Sequence, residues 1–290
     1  SGYISKCPLE SEVDMEHEID PDLRALIDGR VGCPSPREFA ELVRQEVPLP
    51  RGLDSKAVFI HTEFVKQEHP GQKSAIIAER SYYPLCLCRR KQLLAPEEVA
   101  VCNCAVVSPR LTSYWHSPDY LYHLHLAGLG VFTRSMIAYG FDPSMEPGFA
   151  GVDVFSRLSC GASLTGARLL LETPVSVAFS PCGGFHHAMR SRTRMCCYIN
   201  DTIITLNYLI ESGARVMFLD MDANDSPVPR EAFRDEKRLV TCSLFGDWSL
   251  GAGDFKNARM RIPAGGDCGG HLEIPLPVHA EDRVYREVFE

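Results

Sequence analysis

Gly183-Gly184-Phe185-His186-His187-Ala188 follows an apolar run, Val175-Ser176-Val177-Ala178-Phe179, whose composition predicts a buried strand. Downstream, Arg215-Val216-Met217-Phe218-Leu219 predicts a second strand, and it ends in Asp220-Met221-Asp222-Ala223-Asn224-Asp225. Strands that end in a His pair and an Asp pair are how an open α/β metal hydrolase gathers its chemistry at the carboxyl edge of the sheet. Between the two runs, Asn200-Asp201 opens an apolar helix from Thr202 to Ile210, closed by Gly213. Strand, helix and strand in that order indicate a parallel sheet with right-handed crossovers.

Working outward, Ser163 to Leu171 predicts a helix entered through small residues that allow close packing on a sheet. Leu121, Leu124, Leu126 and Leu129 set a helical rhythm over residues 116–129, started by Ser117-Pro118-Asp119. His123 and His125 on it read as surface or packing residues. Further helices are expected near Arg89 to Leu94 and from Ala280 to Glu290, and strands at Ala57 to His61, Leu239 to Leu244 and Leu272 to Leu276. Residues 1–54 are rich in proline and charge and read as an irregular extension lying on the surface or on a partner. Its short helix over Pro36 to Val43 has Ser35 as cap and Pro36 in the first position. Residues 55–290 then form the α/β domain.

The chain has 290 residues, 45% hydrophobic and 23% charged, enough for a substantial core. A formal charge of −8 argues against nucleic acid as the main partner. The local basic stretch Arg190 to Arg194 reads as a solvated loop. No apolar run reaches the ~18 residues needed to span a bilayer. The 12 cysteines lack the pattern of a secreted disulfide framework, which points to an intracellular, reducing compartment. Cys86, Cys88, Cys102 and Cys104 form two Cys-x-Cys pairs that offer a structural zinc site, against the plainer reading of buried free thiols. A first residue Ser1 in place of Met implies processing or a piece of something longer.

These residues together resemble the histone deacetylase and acetylpolyamine amidohydrolase family, which shares its open α/β fold with arginase. The resemblance runs from about residue 57. Its carriers are Tyr114-Trp115-His116-Ser117-Pro118-Asp119-Tyr120, Leu158-Ser159-Cys160-Gly161-Ala162-Ser163, the Gly183 to Ala188 stretch, and Cys197-Tyr198-Ile199-Asn200-Asp201. It implies a three-layer, open, mostly parallel sheet. It also implies a zinc ion held by an Asp, a His two residues on and a second Asp from a later strand, with a His pair moving protons and a late Tyr stabilising an oxyanion. Carried over, His186 and His187 are the proton-transfer pair, Asp220 orients the first of them, and Asp222 is the first zinc ligand. A monovalent cation near Asp220 and Asp222 is a further implication.

The departures agree with one another. Asn224 stands in place of the zinc His, and an amide oxygen is a poorer zinc ligand than imidazole. Pro227 stands where a carboxylate would orient the second His. Met195-Cys196 replaces the Gly-Phe of the acyl-lysine tunnel, and Ser249, beside Trp248, falls at its second aromatic. The resemblance stops before two strands that are central in the family's sheet and carry the second zinc Asp and the Tyr. A sheet without its middle exposes apolar edges, so the fold is expected to be incomplete at its C-terminal side, with the chain continuing or another polypeptide supplying the rest.

The expectation is therefore a degenerate deacetylase-fold protein, without zinc chemistry or any other cofactor, working as a structural or assembly subunit among other protein subunits. The competing expectation is an active metal-dependent hydrolase of acyl-lysine or an acylated amine, with zinc at Asp222 and a weakly ligating Asn224. A third, a small-molecule binding module using the remnant pocket, needs that pocket open.

Overall fold

The computed structural model describes residues 19–61, 82–95, 98–142, 148–247, 249, 270–277 and 279–289. In chain order its elements are α1 (Pro21–Ile27), α2 (Pro36–Glu46), β1 (Ala57–His61), α3 (Tyr82–Arg90), β2 (Val99–Asn103), α4 (Pro109–Thr112) and α5 (Pro118–Gly128). A 3-10 turn at Arg134–Tyr139 leads to α6 (Val152–Glu172), β3 (Val177–Phe179), α7 (Asp201–Glu211) and β4 (Val216–Asp220). The chain goes on through α8 (Val228–Ala232), β5 (Leu239–Gly246), β6 (His271–Leu276) and α9 (Asp282–Phe289).

All described strand pairings are parallel, as the alternation of strand and helix predicts. They form two three-stranded sheets, ordered β2-β1-β3 and β4-β5-β6. The two sheets are separate, in keeping with the central strands that the resemblance leaves wanting. β3 is paired on its β1 side only and β4 on its β5 side only among the described residues. Helices join the halves: α6 lies on β1 and β3, α7 lies on β4, and α6 and α7 pack against each other.

Packing follows from the alternation of side chains along each strand. Val58, Ile60 and Ala178 face α6 at Ala162 and Leu169. Val216, Phe218 and Leu239 meet Ile203, Leu206 and Ile210 of α7. On the far face of the second sheet, Cys242, Leu244 and Leu276 are covered by Val284, Tyr285 and Val288 of α9. The second sheet is thus sandwiched between helices, an α/β arrangement in three layers. α6 meets the first sheet at Gly166, where an added Cβ would fall 3.3 Å from Ile60 Cδ1 and 3.5 Å from Ala178 Cβ. At Gly161 it lies against the segment after β2, where a Cβ would fall 1.9 Å from the Ala105 carbonyl oxygen.

Three elements differ from the sequence reading. α6 begins at Val152, eleven residues before the expected Ser163, because its N-cap is Gly151 at φ 79°, which offers no side-chain signal. α3 ends at Arg90 and starts at Tyr82, ahead of the expected Arg89. β2 went unpredicted. The N-terminal segment is also more than a wrapping: Leu23, Phe39, Val43 and Val47 lie in the largest core cluster with Tyr120, Ile204 and Tyr208. Arg168 of α6 donates to the carbonyls of Arg44 and Val47, tying that segment down. Residues 1–18, Pro70-Gly71 and Trp248 lie outside the described residues.

Candidate metal centre

The loop after β3 is held by the start of α7. Asn200 caps that helix through Oδ1, which accepts from the Ile203 N–H at 3.0 Å. Its Nδ2 donates to the carbonyls of His186 (2.9 Å) and Ala188 (2.8 Å). The buried Asp201 carboxylate accepts from the N–H groups of Gly184 (2.8 Å) and Phe185 (2.7 Å) and from the Ser163 hydroxyl. Burial pushes its carboxyl up, and those three bonds oppose the push. Gly183 and Gly184 are both needed. A Cβ at Gly183 would lie 2.1 Å from Ser163 Oγ, and Gly184 sits at φ 93°. Ser226 Oγ donates to the His186 carbonyl at 3.0 Å, so the loop after β4 braces the same residue.

A second tier stands behind this. His116 accepts the Asn200 N–H on Nε2 at 2.9 Å, so its Nδ1 carries the proton and donates to the Arg190 carbonyl at 3.2 Å. Burial drives the His116 imidazole down to about 3, which keeps it neutral in this role. Tyr120 donates to the Tyr198 carbonyl at 2.6 Å. His116, Asn200, Asp201, Ser163 and Ser226 were not singled out as site residues by sequence reasoning. Four of them lie inside the quoted motifs, but their partners are too distant in sequence for spacing to reveal.

The His pair and Asp220 do come together. His186 Nε2 lies 3.2 Å from Asp220 Oδ2, and His186 Nδ1 donates to the Gly184 carbonyl at 2.9 Å. The His186 and His187 rings lie 4.2 Å apart, and the two residues are 7% and 4% exposed. Burial, with His186 beside it, lowers the His187 imidazole to about 4. Burial raises the Asp220 carboxyl, opposed by the nearby His186 and by the Asp222 N–H, which donates to its Oδ1 at 3.0 Å. At Asp222 the upward push of burial is outweighed by the Asn224 hydrogen bonds and the two imidazoles, and the carboxyl is lowered.

Asn224 and Asp222 are adjacent, but they are bonded to each other. Asp222 Oδ1 accepts from Asn224 N–H at 2.8 Å and from Asn224 Nδ2 at 3.2 Å. A carboxylate can only accept, so the amide NH₂ faces it and the amide oxygen faces away. The position does not fit the zinc that the resemblance implies. Pro227, with no side-chain donor or acceptor, precedes α8. Met195 and Cys196 form a tight turn, and Ser249 bonds Asp247 at 2.6 Å.

The other candidates lie apart. Among the described residues the one set of three or more metal-type ligands in mutual reach is His186, His187 and Asp222. The four thiols of Cys86, Cys88, Cys102 and Cys104 are therefore not gathered. Cys104 instead meets Cys182, which with burial pushes its thiol far up. Every described cysteine is free. His125 is buried against Asp153 at 2.9 Å, and His123 stacks on Tyr139 at 4.1 Å. Apart from the buried Thr193, the basic stretch Arg190 to Arg194 is exposed. No described helix is long and apolar enough to cross a membrane.

With this geometry in place, comparison with known proteins is direct. The family described as the histone deacetylase domain matches residues 79–290. Histone deacetylase RPD3 of Saccharomyces cerevisiae is 29% identical over 174 residues, covering 59% of this chain and 39% of that protein. Putative histone deacetylase 2 of Caenorhabditis elegans is 27% identical over 218 residues, 68% of this chain and 42% of that protein. The crystal structure of an HDAC homologue from Aquifex aeolicus superposes with a TM-score of 0.64 at 25% identity, covering 77% of this chain and 60% of that one. The chain thus spans about two fifths of the length of the curated relatives it matches.

Proposed function

The chain belongs to the histone deacetylase family, and from that premise we propose that it is a degenerate member, a structural or assembly subunit of a larger protein complex that carries out no zinc-dependent hydrolysis. The observation that carries this reading is the Asn224 side chain donating to Asp222 where the family has a zinc-binding pair. Pro227 in place of an orienting carboxylate supports it. So do the edges of β3 and β4 that are unpaired among the described residues, where Phe179 is 53% and Met217 65% exposed. Such edges suit a partner polypeptide that adds strands and completes the sheet. The formal charge of −8 favours protein partners over nucleic acid. The free thiols favour a reducing compartment.

A second reading, an active metal-dependent hydrolase of acyl-lysine or an acylated amine, draws on one observation. His186 keeps a carboxylate, Asp220, at 3.2 Å, an imidazole–acid pair of the kind that takes part in proton transfer. One experiment separates the two. The protein is purified natively with everything bound to it, each polypeptide is sequenced, and the assembly is assayed on acetyl-lysine peptides with added zinc. Companion subunits and no hydrolysis are expected. Zinc-dependent deacetylation that disappears in His186→Ala would overturn the subunit reading in favour of the enzyme.

A further inference from the structure

We propose that the basic surface hairpin at residues 189–195 is a docking surface, and that its occupant is the acidic run at residues 9–18 of the same chain. The inference goes beyond the subunit role and does not depend on it.

The hairpin carries an unmatched charge. Two tight turns follow each other, one closed by Met189 and Arg192 and the next by Arg194 and Cys197. They hold Arg190, Arg192 and Arg194 at the surface, with Met189 and Met195 beside them at 39% and 40% exposed. The described arginines that have a carboxylate partner include Arg157, Arg168, Arg230 and Arg238, and these three are not among them. Their backbone is nevertheless fixed. The Ser117 N–H donates to the Arg190 carbonyl at 3.0 Å, and the Thr193 N–H to the Tyr139 carbonyl at 2.9 Å. Ser191 Oγ donates to Ser117 Oγ at 2.9 Å, and the Thr193 hydroxyl to the Cys197 carbonyl at 2.9 Å. Three positive charges are thus presented on a rigid support, which lowers the ordering cost of binding an anionic partner.

The sequence supplies the complement. Residues 9–18 carry Glu10, Glu12, Asp14, Glu16 and Glu18, a carboxylate at every second position, and no lysine or arginine. In an extended chain, positions two apart share one face, so these carboxylates fall on one edge and Leu9, Val13 and Met15 on the other. The run also enters the fold within reach of the hairpin. Asp20 Oδ2 lies 3.8 Å from Arg157, which lies 3.8 Å from Asp153, the partner of His125 near the tail of α5. The hairpin sits at the head of the same helix, on Ser117. The 11 residues of α5 separate head from tail by about 16 Å. Ten residues of chain span up to about 33 Å, twice that distance. Exposed ion pairs are individually weak, but a tether of this length holds the run at an effective concentration of about millimolar. The chain's own run therefore outcompetes a free acidic peptide.

The test uses the full chain with Arg190→Lys, Arg192→Lys and Arg194→Lys, which keeps each charge and makes it reactive. A carbodiimide then joins any lysine amine to a carboxylate in contact with it, and peptide mass spectrometry locates the links. Mixing isotope-labelled with unlabelled chains separates links within a chain from links between chains, and circular dichroism confirms the fold. Links from residues 190, 192 and 194 to Glu10–Glu18 within one chain are expected. Their yield should fall about five-fold or more in about 1 M salt, where the screening length is about 3 Å. An excess of a synthetic peptide of residues 9–18 should lower it as well. Links that run only between chains would overturn the proposal in favour of a second copy as occupant. Links to other carboxylates, or none in a folded chain, would overturn it outright.

Discussion

At Met195 and Cys196 the backbone turns left-handed, with φ of 51° and 59°, between Arg194 and Cys197, whose N–H and C=O groups bond each other at 3.2 and 3.0 Å. Positive φ at both central residues is the demand of a type I′ hairpin, which prefers Asn-Gly. A side chain with a Cβ is strained there by about 1 kcal/mol or more. Cys196→Gly is therefore expected to stabilise the protein by about 1 kcal/mol in urea denaturation. A residue-scale pH effect follows from His116, held down to about 3 from an ordinary 6.5 by burial. Above pH 6.5 neither folded nor unfolded chain protonates it, so it costs nothing. As pH falls below 6.5 the unfolded chain takes a proton that the folded chain refuses, and stability drops until about pH 3. At pH 5 the loss is about 2 kcal/mol, from 1.36 kcal/mol per unit. Comparing denaturation midpoints at pH 7.5 and 5 in the wild type and in His116→Gln checks it. The variant should lose that share of the pH dependence, and an unchanged slope would remove His116 as its source. Residue types in short motifs carried the candidate site into view, because Asp220 and Asp222 sit at the end of β4 and His186 and His187 lie on the loop that follows β3. The bonds that hold them stayed out of sight, since His116 meets Asn200 across 84 residues.

Helices were legible where their starts are written in local chemistry. Ser35 and Glu38 make a reciprocal capping box at the head of α2, and Asn200 caps α7 with its own amide. α6 was half missed, since 15 of its 21 residues are buried and so little polar face remains to give a period. β2 was missed because Val99–Asn103 lies at a sheet edge with only Cys102 buried, so its residues show no regular alternation of apolar and polar. The same local reading misjudged the N-terminal helices, whose charge hides a narrow apolar stripe. Phe39 on that stripe is fully buried, stacked on Tyr114 at 4.0 Å and edge-on to Tyr208 at 6.5 Å. Phe39→Ala should cost about 3–5 kcal/mol, the penalty of a large core cavity. Ser35→Ala should cost about 1 kcal/mol through the lost cap. Thermal denaturation reads both, and a near-zero effect of Phe39→Ala would show the segment to be peripheral after all.

For the molecule as a whole, the dominant fact is the parted sheet. Val177 and Phe179 on one side and Met217 and Leu219 on the other leave apolar surface along strands whose outer backbone is unpaired among the described residues. Unpaired edges of this kind invite other chains. The purified chain is expected to self-associate, and the double variant Phe179→Lys, Met217→Lys should shift it toward monomer in analytical ultracentrifugation. A wild-type chain that sediments as a monomer at high concentration would contradict this. The parting was legible from the resemblance alone, because only the family's strand order reveals that something belongs between β3 and β4. The parallel register also sets a timetable for synthesis. β1 waits for β3, whose lead-in residue Ser176 bonds Lys56 across 120 residues of chain. At about 5–20 residues per second on the ribosome, that interval is roughly 6 to 24 seconds. Through all of it Val58, Phe59 and Ile60 have emerged while β3, one of the two partner strands of β1, is still being translated. The nascent chain therefore presents a sticky segment to chaperones long before its fold can close over it.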